Sequence, residues 1–261
     1  MKVLIPAAGL GTRLYPITKY IPKPLLPLDS YTTVLDNIIN NLLSIKLIKF
    51  DDIVVGIKSE DYIKFTDRSP INSPRMYLYS DKLSGYEHSG FNDLIEMYKK
   101  YGKNEDVFIL SADHLISRQD LFNFVNQSLQ HSKTIPHKNF DYARIAYIKD
   151  NDENHILNAG QLFMNSDKSY GEEFVYNLHE KPGKILSKKV ACSLYYIPAN
   201  YYSFVMSYLN SYMEENYKEF GDIINVLLKY DLKIATYKIR DYWIDIGEFS
   251  RWMQAIEIFN K

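Results

Sequence analysis

The chain has 261 residues, 46% of them hydrophobic and 24% charged, with a formal net charge of −1. That length buries a substantial core, as one large α/β unit or two small ones, and the near-zero charge gives no field for non-specific binding to nucleic acid or a membrane surface. The single cysteine excludes a disulfide framework and a cysteine-rich zinc site within the chain, and without a run of about twenty apolar residues no membrane span is expected.

Residues 3–6 read as a short apolar strand entered directly from Met1-Lys2. Nothing there has the pattern of a secretory leader, so a cytoplasmic protein is the expectation. The strand runs into Ala7-Ala8-Gly9-Leu10-Gly11-Thr12-Arg13, a turn of small residues with two glycines. Small residues let backbone N–H groups come close to a polyanion, and glycine adopts the positive φ that such a cradle needs. Arg13, Lys19 and Lys23 place cations around the same spot, on a segment stiffened by Pro16, Pro22, Pro24 and Pro27. A phosphate site is the inference. It is not a P-loop, because Gly11 is followed by Thr-Arg rather than Lys-Ser/Thr. Nor is it a dinucleotide fingerprint, because Leu14 stands where the third glycine belongs and the prolines oppose an immediate helix.

Helical spacing of Val34, Ile38, Leu42 and Ile45 predicts a helix over 33–47. Residues 53–57 and 76–79 read as buried strands, 92–100 as a helix, 107–112 as a strongly apolar strand, 118–131 as a helix and 143–148 as a strand. Such alternation implies an α/β fold with a largely parallel sheet and right-handed crossovers. The second half reads as strands over 174–178 and 190–197, paired antiparallel around the turn 181–184. A helix over 199–216 follows, then a helix over 222–229, a strand over 233–237, an extended segment over 242–246 and a final helix over 248–259. Cys192 lies inside the apolar run 190–197 and is expected to be a buried, inert thiol. No linker, low-complexity stretch or internal repeat divides the chain. Tyr201, Val205, Tyr208 and Tyr212 share a helix face; with 23 tyrosines in the chain, that face is core or the contact of a homo-oligomer.

In an open α/β sheet ligands sit beyond the carboxyl ends of the strands. Asp113 follows the strand at 107–112, so its carboxylate is expected at that edge beside the glycine turn; Asp245 follows Tyr242-Trp243-Ile244 and precedes Gly247. His114 is expected to point away from Asp113 along an extended segment. None of the six histidines shows a metal-ligand spacing, so all are read as non-ligands. Glu180-Lys181-Pro182 by itself is a charged strand corner.

Gly-x-Gly-Thr-Arg followed by Pro-Lys-Pro resembles the signature of the sugar-1-phosphate nucleotidyltransferases. The order of the glycine turn, Pro-Lys-Pro, Asp113, Glu180-Lys-Pro and Asp245-Ile-Gly extends the resemblance over nearly the whole chain. It implies a Rossmann-like three-layer sandwich with a mainly parallel mixed central sheet and a small antiparallel sugar-binding subdomain. One nucleotidyltransferase domain would span 1–261, with a nucleotide-binding part over about 1–150 and a sugar-binding part over about 151–261. Asp113 and Asp245 would hold Mg²⁺. Arg13 and Lys23 would act catalytically on the phosphates, and Ala8, Gly9, Leu10, Gly11, Thr12 and Gly90 would contact the nucleotide. Gly160, Glu180 and Lys181 would bind the sugar phosphate. Two departures stand out. Ser193 occupies a place that is often glycine, and 80–93 lack the base-reading Gln of many relatives. The implied substrates are small molecules, glucose-1-phosphate and a nucleoside triphosphate, dTTP ahead of UTP. A catalytically silent nucleotide-sugar sensor and a phosphoalcohol acceptor are the alternatives.

Overall fold

The computed structural model describes residues 1–9, 11–57, 75–78, 90–134, 142–167, 171–211 and 219–261. Val3, Leu4 and Ile5 are fully buried in the first strand, β1 (Lys2–Pro6), as expected of a parallel strand covered on both faces. Val3 and Ile5 join one core cluster and Leu4 the other, because successive side chains leave a strand on opposite faces. The same split recurs in β2 (Ile53–Ile57) and β4 (Val107–Leu110). Helices α1 (Val34–Leu43), α3 (Arg118–Thr134) and α7 (Phe249–Phe259) contribute to the first cluster; α2 (Gly90–Tyr101), α5 (Tyr202–Ser211) and α6 (Asp222–Lys229) contribute to the second. The chain is therefore a three-layer α/β sandwich.

The remaining strands are β3 (Arg75–Leu78), β5 (His114–Ile116), β6 (Ala143–Lys149), β7 (Gln161–Asp167), β8 (Glu172–His179), β9 (Lys189–Ile197), β10 (Ile234–Lys238) and β11 (Trp243–Asp245). Among the described residues the main sheet has the order β3-β2-β1-β4-β9-β6-β10-β8-β7. β1 is parallel to β2 and β4, β2 to β3, and β6 to β10, whereas β9 runs antiparallel to both β4 and β6. The mainly antiparallel second half thus extends the central sheet.

The hairpin expected between 174–178 and 190–197 does not form. β8 pairs with β7 and β10, and β9 meets β7 at Gln161↔Val190. The polar end of β7, Asn165-Ser166-Asp167, hid the intervening strand from a hydrophobic pattern. The short helix α4 (Glu153–Leu157), capped by the Asp152 side chain, was missed for lack of length. Tyr201, Val205 and Tyr208 are buried within this chain, so that face is core; Tyr212 lies outside the described residues. Cys192 is fully buried, and burial drives its thiol pKa well up.

Two buried charged groups organise the sheet and its approach to the site. Arg144, 1% exposed, makes paired bonds of 3.1 and 3.2 Å to Glu172 and a third to the Thr236 carbonyl, tying β6, β8 and β10 together. Asp120, at the start of α3, accepts from Ser117 Oγ, the Tyr237 hydroxyl and the backbone N–H groups of Arg240 and Asp241. Those bonds hold the segment that leads into β11. Asp120→Ala strands four donors and is expected to cost about 3 kcal/mol. Chemical denaturation measures that cost, and an unchanged midpoint would remove Asp120 from this role.

Candidate active site

The glycine turn is shaped by Gly11, whose φ of 61° and ψ of 34° are left-handed. The Thr18 hydroxyl donates to the Gly11 carbonyl at 2.8 Å. A Cβ on Gly11 would lie 3.1 Å from Thr18 and 3.2 Å from Lys23 Cβ, so only glycine lets the turn pack this closely on the lysine-bearing segment. Among the described residues nothing lies within 4 Å of a Cβ built on Gly9, which leaves that side of its backbone open to a ligand. Ala8 and Thr12 flank these glycines; Leu10 lies outside the described residues.

Lys23 opens a 3-10 turn between Pro22 and Pro24 and is 9% exposed. Its Nζ donates to Asp113 Oδ2 at 2.5 Å and stands 3.8 Å from Asp245 Oδ1. The two aspartates meet because β5 and β11 form a small antiparallel ribbon, with Asp245 opposite His114 and the Ile246 N–H bonded to the Asp113 carbonyl at 2.9 Å. The structure therefore places the glycine turn, Lys23, Asp113 and Asp245 at one strand edge. Ser111 Oγ also donates to Asp113. Burial alone would raise the Asp113 pKa, but Lys23, His114 and Ser111 outweigh it and hold the carboxyl well below its usual range.

His114 corrects an expectation. Ala112 and Asp113 form a turn rather than extended chain, so the alternation of side chains does not apply. The imidazole faces the acids, with Nε2 3.3 Å from Asp113 Oδ1 and 3.9 Å from Asp245 Oδ1. Asp113, His114 and Asp245 offer ligand atoms all within 4.8 Å of one another. Burial lowers the His114 pKa, so the ring is neutral near pH 7 despite the flanking carboxylates.

A cleft joins this cluster to Arg13, Gly160, Glu180, Lys181 and Gly221. Arg13 is exposed and makes no hydrogen bond or ion pair among the described residues; its guanidinium lies about 3.1 Å from where a Cβ on Gly247 would stand. Glu180 lies against Gly160 and Gly221, and a Cβ on Gly221 would overlap its Oε1. Lys181 is paired with Glu219 at 2.5 Å. Both are exposed, so the pair is weak and exchanges readily. Gly90 is the first residue of α2; of the segment 80–93, where the resemblance places contacts to a base, residues 80–89 lie outside the described residues.

The nucleotidyl transferase family model matches residues 2–261. The chain belongs to that family. Among its relatives is the bifunctional protein GlmU of Methanococcus aeolicus, 25% identical over 254 residues, covering 95% of this chain and 52% of the relative. The UTP–glucose-1-phosphate uridylyltransferase of Bacillus subtilis is 35% identical over 107 residues, 41% of this chain and 32% of that one. A Bacillus anthracis structure provisionally assigned as a glucose-1-phosphate thymidylyltransferase, in complex with sucrose, superposes with a TM-score of 0.72 at 20% identity, covering 99% of this chain and 94% of that one. It shares the three-layer fold. The chain spans about half the length of the GlmU relatives it matches.

Within this cleft, Glu180 carries a pH signature. Burial, then Asp222 and Glu219, push its pKa from 4.5 up to about 7, against the pull of Lys181. A carboxyl with a raised folded pKa favours the fold when protonated, so stability falls as pH rises from about 4.5 to about 7. Glu180→Gln is expected to flatten that interval by about 1–2 kcal/mol, after allowing for partial exposure. Urea midpoints of both proteins at pH 5 and pH 8 give the difference; parallel profiles would contradict it. His114 and His155 are the site residues that sequence reasoning missed. The adjacency of His114 to Asp113 was the one available signal for the first.

Proposed function

We propose that the chain transfers a nucleotidyl group from a nucleoside triphosphate to a sugar-1-phosphate, releasing pyrophosphate, with glucose-1-phosphate and dTTP as the favoured pair. The observation that carries this reading is the convergence of Lys23, Asp113 and Asp245 beside the glycine turn. In the order of the chain, these positions are the ones at which the family resemblance places its phosphate lysine and its two metal-holding acids.

The acceptor's attacking group is already an anionic phosphate oxygen, so no side-chain nucleophile is needed. The obstacle is bringing two polyanions together: like unit charges about 4 Å apart cost roughly 4 kcal/mol at an effective dielectric near 20. Arg13, without a partner among the described residues, would take the β- and γ-phosphates and the departing pyrophosphate. Lys23 would shift from Asp113 to the α-phosphate, and Lys181 would exchange Glu219 for the sugar phosphate. Glu180, between Gly160 and Gly221, would accept sugar hydroxyls. The two carboxylates suit a hard divalent ion; bound there, Mg²⁺ would supply positive charge that offsets the triphosphate. Ala8, Gly9, Leu10, Gly11 and Thr12 would present backbone N–H groups, and Gly90 would lie by the base.

The Bacillus subtilis relative, named for UTP, favours a second reading with UTP as donor. Product identification by mass spectrometry, across dTTP, UTP, CTP and GTP with several sugar-1-phosphates, decides between them. A thymidylyl sugar as the dominant product supports the first reading. A dominant uridylyl sugar supports the second, and products only from phosphoalcohol acceptors would overturn both.

A further inference from the structure

His155 has no part in the roles above, yet it is held as a ligand is held. Its Nδ1 lies 2.5 Å from Asp150 Oδ2. An aspartate at neutral pH only accepts, so Nδ1 carries a ring proton, and in the neutral imidazole Nε2 is the nitrogen with the lone pair. That Nε2 is buried without a hydrogen-bond partner among the described residues, on a side chain 9% exposed, and faces Asp245 Oδ2 at 3.9 Å. A lone pair facing a carboxylate oxygen gains nothing from that approach, and the spacing is too long for a hydrogen bond. It does suit two ligands of one cation, since donors about 2.1 Å from an ion stand roughly 3–4 Å apart.

His114 also turns its Nε2 toward the acids, 3.3 Å from Asp113 and 3.9 Å from Asp245. The Trp243 ring lies against both imidazoles, 4.8 Å from the His114 centroid and 5.6 Å from the His155 centroid, and so fixes their planes. A carboxylate on the far ring nitrogen, as Asp150 provides, is the usual second partner of a metal-ligating histidine.

We propose that His155, oriented by Asp150, joins Asp113, His114 and Asp245 in a mixed imidazole–carboxylate site that takes a transition-metal dication of the Mn²⁺, Co²⁺ or Zn²⁺ class in preference to Mg²⁺. The inference rests on the reading of Asp113 and Asp245 as the cation-holding pair. Imidazole nitrogen suits these ions, whereas Mg²⁺ favours oxygen ligands and retained water.

The test uses the metal-stripped full chain, titrated with Co²⁺ by visible absorption and with Mg²⁺ in competition. Mn²⁺ electron spin echo reads nitrogen coupling directly. The wild type is expected to bind Co²⁺ well above Mg²⁺ and to show imidazole nitrogen on Mn²⁺. His155→Ala and Asp150→Asn should weaken Co²⁺ by about 10–100-fold while leaving Mg²⁺ within about threefold. His155→Gln serves if the alanine variant fails to fold by circular dichroism. Equal Co²⁺ affinity in wild type and His155 variants, or no nitrogen coupling, would overturn the proposal while Mg²⁺ binding lost in Asp245→Asn kept the underlying reading intact. Binding of none of these ions by the wild type would remove both.

Discussion

Asp113→Asn is expected to lower kcat by about 10²–10³-fold, in line with the loss of one preorganised electrostatic contact at the reacting phosphates, while the fold persists. The substitution keeps shape and the bond from Ser111 Oγ but removes the charge that Lys23 Nζ approaches at 2.5 Å. It also deletes one of the two carboxylates that the β5–β11 ribbon brings within 4.8 Å of one another. Steady-state kinetics with thermal melting separates the two effects. A variant with near-normal kcat and an unchanged melting temperature would remove Asp113 from the chemistry.

The second large effect is expected at Arg13. Its side chain is exposed and makes no ion pair among the described residues, so Arg13→Ala should leave stability within about 0.5 kcal/mol. Turnover should nevertheless fall by about 10²-fold, because a guanidinium grips phosphate through two aligned donors. Arg13→Lys should recover only part of the loss, since a point charge lacks that fork. Full activity in the lysine variant would show that charge alone suffices, and full activity in the alanine variant would exclude Arg13 from pyrophosphate departure.

Much of this arrangement was legible in the chain, for identifiable reasons. β1, β2 and β4 are buried on both faces, so they appear as continuous apolar runs, and α1 and α6 keep helical spacing throughout. The turn at Gly9 and Gly11 was readable because small residues, arginine and Pro-Lys-Pro occur together at fixed spacing. What escaped was long-range or short. The three-residue strands β5 and β11 are set by each other, 127 to 131 positions apart in register, and neither has enough residues to show a period. The orientation of His114 depends on a turn at Asp113 that breaks the alternation. His155 reaches the acids through α4, five residues long and anchored by Asp150 and Asp152. The pairing of Lys181 with Glu219 is likewise invisible locally, being made across 38 positions.

The glycine turn, its two cations and the paired acids form one machine only if they act together on a triphosphate. Pyrophosphate release by the full chain, with a divalent cation, glucose-1-phosphate and dTTP or UTP, measures this most directly. Release in step with nucleotide-sugar formation, dependent on both substrates and lost in Asp113→Asn, is the expected result. A protein that binds nucleotide yet releases no pyrophosphate with any donor and acceptor would be a silent sensor, and the account would be wrong.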